Sequence, residues 1–448
     1  MHGISPPMFM SEYEKEQKIT DGLLERYIDD MGINVTKAPF NAKGDGITDD
    51  TAAIQAAIDY CYARGGGTVV LPQPGRYLFS NLVVKKYVTL KMNWLEQNYS
   101  SNDLTLALDG FSMPYCLIRK SDSTGIGITT DRYSTLKNIN IHGNGVAGTC
   151  ISCTGSIDGL YITRAKDALF INNGAGQIKN FWLFGNLGDA LTLGVGADDL
   201  RISKCNIASN IGYGILCLGS NGTINFSDGK VEWNYKDNIC IRGYMSELSF
   251  NDFIIDSSNW FNFHVESLAN CEKTRFNNCL IIGSRRDGTS WGNLTFPITT
   301  AGTTVMSQFY IENNNTDLIF TGCDFRKLNN TVEGSTTEQV AYNFGGNPGI
   351  VVRRISLINC HIDVTYANIF NTITIEHYAN LGTRSATTGN NNMDIASGII
   401  LKLSPITSAT KDSYANAPSY TQYFDWETHK TLTKHNTSFY DSAGTLVY

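Results

Sequence analysis

Between residues 136 and 256 short apolar–polar alternations recur at a fixed distance. LKNINIHG from Leu136, IDGLYITR from Ile157, IKNFWLFG from Ile178, LRISKCNI from Leu200, INFSDGKVEW from Ile224 and LSFNDFIID from Leu248 start roughly 21–24 residues apart. Each is followed by a turn and a second apolar strand: DALFINN, DALTLGV, YGILCLG, DNICIRG and FNFHVES. Alternation of period two means strands with one buried face. A repeat of that length built from short strands and Gly/Asn turns, without long helices, means a solenoid of stacked coils. The pattern predicts an all-β fold, a β-solenoid. Later coils recur near Cys279, Cys323 and Cys360 with longer insertions between them, and the period fades after about residue 376. The expected organisation is an N-terminal helical attachment or cap segment over 1–35, the β-helix over 36–376, and an irregular or β-rich cap over 377–448.

Two helices stand apart from this pattern. Residues 11–31 read as a charged amphipathic helix with Leu23, Leu24, Tyr27, Ile28 and Met31 as its stripe. A second is expected after Asp49 and Asp50, which are placed to cap it. Its buried face would be Ala53, Ile54, Ala57, Ile58 and Cys61, and Gly65, Gly66 and Gly67 would stop it. Thr68–Leu71 and Tyr77–Phe79 then read as strands around a Pro-Gly turn.

The block from Lys37, KAPFNAKGDGITDDTAAIQAAIDYCYARGGGTVVLPQPGRYLF, resembles the N-terminal signature of the pectate-lyase-like superfamily. It departs in having Asn41 where glycine is usual and Gln73-Pro74 lengthening a turn. The resemblance covers about 50 residues. It implies the right-handed β-helix, and a group that includes phage tailspikes, polysaccharide lyases and glycoside hydrolases.

In such a solenoid, aligned residues on neighbouring coils stand roughly 4.8 Å apart. Alternation puts Ile139, Ile141, Leu160, Ile162, Phe181, Leu183, Cys205, Ile207, Val231, Phe253 and Ile255 inside. It turns Thr163, Phe184, Ala208, Glu232 and Asp256 outward as one column. Glu232 and Asp256 are thus expected neighbours, a carboxylate pair at the spacing of retaining glycosidases. Trp182, Trp233 and Trp260 lie near that column as candidate sugar-stacking rings. A second column, Asp167, Asp189, Tyr213, Asp237 and Phe261, falls at the corner before each second strand. It is similar in position to the catalytic aspartates of polygalacturonase-type β-helices, without their Asn-x-Asp and Gly-Asp-Asp motifs. The plainer role for Asp167 and Asp189 is to hold turn amides. A third column pairs Arg242 with Glu266, with His264 beside them, as an ion pair or a substrate clamp. Ser284, Arg285, Arg286 and Trp291 mark an insertion that would wall a cleft.

Composition narrows the choices. Hydrophobic residues make up 42% of the 448 and charged residues only 17%, so the chain can bury a large core. The net charge of −7 and the lack of a basic run exclude nucleic acid and anionic membranes as natural partners. The 11 cysteines lack paired C-x-x-C spacing, and most sit inside apolar strands, so they read as reduced core thiols rather than zinc ligands. No metal and no cofactor are expected. No stretch reaches membrane-spanning length, and MHGISPPMFMSEYEKEQK has no apolar signal core. Release by lysis is the route this implies.

The resemblance and these exclusions together imply a phage tailspike-type depolymerase, a homotrimer in the virion, attached to the tail or baseplate. Its expected substrate is a bacterial surface polysaccharide: capsule, O-antigen, exopolysaccharide or teichoic acid. The expected reaction is two-carboxylate glycoside hydrolysis. The alternatives are a polysaccharide lyase, a bacterial fructan-converting transferase and a non-catalytic receptor-binding adhesin.

Overall fold

The computed structural model describes residues 32–93, 115–172, 176–219, 221–256, 258 and 260–283, followed by 290–291, 294–295, 309–313, 316–327, 344–346, 351–362, 374–385, 422–425, 430–435 and 438–440. The expected helix at 11–31, with all but residues 32–35 of the expected N-terminal segment, and Ser284, Arg285 and Arg286 lie outside the described residues. Among the described residues, no helix is long and apolar enough to cross a membrane.

The described strands form two large sheets in register, one of 20 strands and one of 10, with a short antiparallel pair and a three-stranded antiparallel sheet besides. One coil shows the plan. Asn221–Ser227 runs to a bend at Asp228, Lys230–Glu232 continues the larger sheet, a corner follows, and Ile239–Ile241 lies in the ten-stranded sheet. The next coil repeats each piece in parallel: Ile224 beside Leu248, Val231 beside Ile255, Cys240 beside His264. This stacking is a parallel β-helix.

The repeat dictates the packing. Every residue assigned inward is buried, and Phe226, Phe250, Phe276 and Phe320 stack ring on ring at 5.0, 5.4 and 4.7 Å. All 11 cysteines are free and buried. The bends fall at Asn138, Asn180, Lys204, Asp228, Asp252, Asn278 and Asn359, all with φ between 52° and 57°. Asn and Asp tolerate this left-handed conformation best, which is why they recur there. The repeat alignment needs one correction. Ile178 faces Ile202, and Leu200 faces Ile224, so the fourth coil starts two residues later than its apolar onset. A shift of two keeps the same side chains inside.

The helix Thr51–Ala63 buries Ile54, Ala57, Ile58 and Cys61 against the first coils. Asp50 occupies the position before it, but its carboxylate turns away, accepting the Lys43 and Gly44 amides at 2.6 and 3.0 Å. Asp49 instead accepts the Thr51 amide at 3.0 Å. Towards the other end, Val351–Ile362 pairs with Thr374–Ser385, so parallel pairing passes residue 376, where the sequence period fades. Leu216 is 2% exposed, packed with Tyr213 and Cys240, whereas Leu218 is 41% exposed.

The corner between the sheets is built from side-chain amides. Asn186 Nδ2 donates to Asn210 Oδ1 at 2.9 Å. Asn210 donates to Asn234, Asn234 to Asn238 and Asn238 to Asn262, each at 2.8 Å. The same amides reach strand carbonyls of Ile162, Leu183, Ile207, Asp256 and Ile282. All five residues are at most 1% exposed. An unmet buried amide costs about 1–3 kcal/mol. Asn210→Ala removes the acceptor for both the Asn186 amide N–H and its side chain. It is therefore expected to cost roughly 3 kcal/mol in denaturant unfolding, against about 0.5 kcal/mol or less for the exposed Asn225→Ala. Equal losses at the two sites would show that the corner amides are not under this constraint.

Candidate active site

Three residues beyond the first three asparagines of the ladder, the chain emerges at the ten-stranded sheet, and there the expected corner column appears. Asp167 Oδ1 accepts the Asp189 amide at 3.2 Å, Asp189 Oδ1 accepts the Tyr213 amide at 3.0 Å, and Asp237 Oδ1 accepts the Phe261 amide at 3.1 Å. Each aspartate holds the turn of the next coil with one oxygen and keeps a second. Asp167 and Asp189 are half-buried, while Asp237 is fully buried.

Burial, and after it the neighbouring Asp189 charge, raises the Asp167 carboxyl above the usual range against the pull of the Asp189 amide. Asp237 is partnered by His264, whose Nδ1 lies 2.9 Å from Oδ2, and the far Nε2 lies 3.3 Å from Glu312 Oε1. Burial works against the charged imidazolium, but Asp237 and Glu312 outweigh it and hold His264 above its ordinary value.

The outward column on the ten-stranded sheet runs Leu216, Cys240, His264, Tyr310. Two residues on, Arg242 donates Nε to Glu266 Oε2 at 2.8 Å and Nη2 to Oε1 at 2.7 Å. Arg242 Nη2 also donates to the Tyr213 hydroxyl at 2.9 Å. The guanidinium's hydrogen bonds hold Glu266 below the usual carboxylate range. Burial pushes the Tyr213 hydroxyl up to about 12. Lys236 Nζ sits 4.6 Å from the Tyr213 ring centre, and Trp260 packs edge-on against that ring at 6.4 Å. Phe261 stacks on Tyr310 at 4.6 Å. Asp237, Tyr213, Arg242, His264, Glu266 and Trp260, drawn from three coils, thus form one connected face, with Asp189 and Asp167 extending it coil by coil.

The other expected residues lie elsewhere. Glu232 and Asp256 are register neighbours in the larger sheet, as the alternation requires. They are only 8% and 9% exposed, between Ala208 and Ile282, and Glu232 is ion-paired with Lys230. Their outward column is covered rather than open, so the expected exposed pair is not formed. Thr163, at the head of that column, is fully buried too. Trp182 stands 37% exposed on the larger sheet between Tyr161 and Asn206, and Trp233 follows Glu232 at a left-handed bend. Trp291 lies in the short antiparallel pair with Leu294.

Cys240, Lys236, Tyr310 and Glu312 were missed. Cys240 is the central residue of DNICIRG and His264 that of FNFHVES, so aligning the second strands would have found the cysteine. Tyr310 and Glu312 follow an insertion that breaks the repeat.

Known proteins share parts of this chain. Residues 32–94 match the family described as Rhamnogalacturonase A/epimerase, pectate lyase-like. Over 195 residues the chain is 29% identical to Depolymerase 1, capsule K30/K69-specific, of Klebsiella phage K5-2, a stretch covering 44% of this chain and 20% of that protein. Over 41 residues it is 68% identical to mannuronan C5-epimerase AlgE5 of Azotobacter vinelandii, 9% of this chain and 4% of the epimerase. The chain therefore spans a fifth or less of these curated relatives. Tailspike protein 2 of Escherichia coli O157:H7 bacteriophage CAB120 shares the fold, with a TM-score of 0.50 and 14% identity over 82% of this chain and 48% of that one. Residues 32–94 thus match the pectate-lyase-like family, a 195-residue stretch is similar to a phage capsule depolymerase, and the stacked parallel coils share their fold with a phage tailspike protein.

Proposed function

We propose that this protein cleaves a bacterial surface polysaccharide from a phage tail, as a homotrimer, by two-carboxylate hydrolysis on the outward face of the ten-stranded sheet. The observation that carries the reading is the Asp167–Asp189 pair. Neighbouring coils separate such residues by roughly 4.8 Å, near the about 5 Å between the carboxyl groups of retaining glycosidases. The environment also separates their roles. Asp167 holds its proton to higher pH, as a general acid must. Asp189 serves as nucleophile and then as base partner. Tyr213 and Trp260 supply rings for sugar stacking, and Arg242 with Glu266 fixes the wall beside them. The capsule-specific phage relative supports the substrate class. Glu232 and Asp256 are too covered for a glycan to reach.

An elimination mechanism would ask Tyr213 to act as base. Its hydroxyl, pushed up to about 12 by burial, is poorly suited to that task. Hydrolysis is therefore the better reading.

The test is reducing-end release from a panel of capsules, O-antigens, exopolysaccharides and teichoic acids. Asp189→Asn and Asp167→Asn are each expected to lower turnover by about 100–10,000-fold, and Glu232→Gln by no more than a few-fold. Product absorbing in the ultraviolet as an unsaturated sugar would replace hydrolysis by elimination. Binding without any cleavage would make the protein an adhesin.

Stability gives an independent check on Asp167. A carboxyl raised on folding adds stability below its unfolded pKa of about 3.9, and that contribution is lost as pH rises through the folded value. Near neutral pH the buried charge is a net cost. Asp167→Asn keeps Oδ1 for the Asp189 amide, so its unfolding midpoint is expected to exceed wild type near pH 7 and to lose that advantage below about pH 4. A lower midpoint near neutrality would contradict the burial argument.

A further inference from the structure

The chemistry proposed above leaves one tight cluster unused. Cys240 lies three residues after Asp237 and faces His264 across the sheet. An Asp237 carboxylate oxygen, the Cys240 sulfur and a His264 ring nitrogen all lie within 4.8 Å of one another. Exposure is 0% for Asp237, 0% for Cys240 and 9% for His264.

The cluster carries an excess of acid groups. The carboxylates of Asp237, Glu266 and Glu312 and the Cys240 thiol share one guanidinium, Arg242, and one imidazole, His264. The thiol points at a carboxylate, Glu266 Oε1, at 3.6 Å. Burial, then the charges of Asp237 and Glu266, drive that thiol far above its usual range. Burying several acids together without matching positive charge is costly. A cation is what this arrangement is short of.

The ligand atoms are also oriented. Asp237 gives Oδ1 to the Phe261 amide, which leaves Oδ2 directed at His264. His264 turns Nδ1 into the cluster, and Glu312 holds Nε2 from behind. An outer carboxylate on the far nitrogen is the usual support of a metal-bound imidazole. Cys240 and His264 sit on paired strands of consecutive coils, so the framework fixes their separation.

We propose that Asp237, Cys240 and His264 form a binding site for a borderline-soft divalent cation, zinc above all. One oxygen, one sulfur and one nitrogen suit zinc, whereas magnesium and calcium require oxygen ligands. Three protein ligands leave a fourth position for water or substrate. On binding, the Cys240 thiol and the His264 imidazolium each lose one proton, and the Asp237–His264 hydrogen bond gives way to two metal–ligand bonds. The ion would neutralise the acids and tie the 237 corner to the neighbouring strand Phe263–Val265. The inference stands on the cluster alone and does not depend on which polymer the face cleaves, or whether it cleaves one.

The test uses the full chain, stripped with a chelator and then titrated with cobalt as a spectroscopic probe and with zinc. A sulfur-to-cobalt charge-transfer band is expected, saturating at one equivalent and absent in Cys240→Ser, a near-isosteric change. Zinc should displace cobalt, and magnesium and calcium should not. Zinc should raise the thermal unfolding midpoint of wild type and leave that of Cys240→Ser unmoved. Asp237→Asn and His264→Gln should each weaken zinc at least tenfold in chelator competition. The absence of the band in folded wild type would overturn the proposal, as would a band of equal strength in Cys240→Ser. If Cys240→Ser does not fold, His264→Gln decides the matter: undiminished zinc affinity there would equally refute it. A protein that binds zinc in this way and cuts no glycan upholds the site while removing the hydrolase reading.

Discussion

A chain of buried amide–amide hydrogen bonds, from Asn186 through Asn210, Asn234 and Asn238 to Asn262, sets the geometry on which the outward face depends. A parallel β-helix must turn a sharp corner in every coil, and each corner brings backbone groups to where water cannot reach. The asparagine side chain answers both needs, since its carbonyl accepts from backbone or amide N–H groups while its NH2 donates to strand carbonyls. The answer is also positional. Asn186, Asn210 and Asn234 stand three residues before Asp189, Tyr213 and Asp237. A corner that slips by one residue would carry that whole column off the face.

Charge then distinguishes the two sides of the solenoid. On the larger sheet, Glu232 is matched by Lys230 and covered. On the ten-stranded sheet the acids outnumber the bases: Asp237 is fully buried, while the partly open Asp167 is raised by burial and Glu266 is lowered by Arg242. Groups of one chemical type pushed in opposite directions within one face are what acid–base chemistry requires, and they cost folding stability.

Much of this was legible in the sequence because the repeat converts spacing into distance. The inward set, the adjacency of Glu232 and Asp256, and the column from Asp167 to Phe261 all follow from alternation and period alone. Alternation does not reveal coverage. Thr163, Glu232 and Asp256 alternate outward yet are buried. Trp182 and Trp233 seemed close to Trp260 by sequence, but the corner between them sends Trp260 to the other sheet beside Tyr213. The asparagine ladder itself was invisible. An asparagine in a turn reads as a turn former, and its pairing with another one coil away becomes evident only in three dimensions.

Among the described residues the ladder also has an end. Its last amide, Asn262, closes on the carbonyl of Ile282. At the same corner of the following coils the connections between Gly283 and Phe309, and between Lys327 and Phe344, are far longer than a turn demands. The strands on either side nonetheless keep their register, with Phe263 beside Phe309 and Phe309 beside Phe344. The molecule thus combines a stretch whose turns are interlocked, and resist insertion, with a stretch whose turns can be lengthened and exchanged without disturbing the coils. In evolutionary terms, new surface can be grafted beside a repeating framework at a place the framework itself marks.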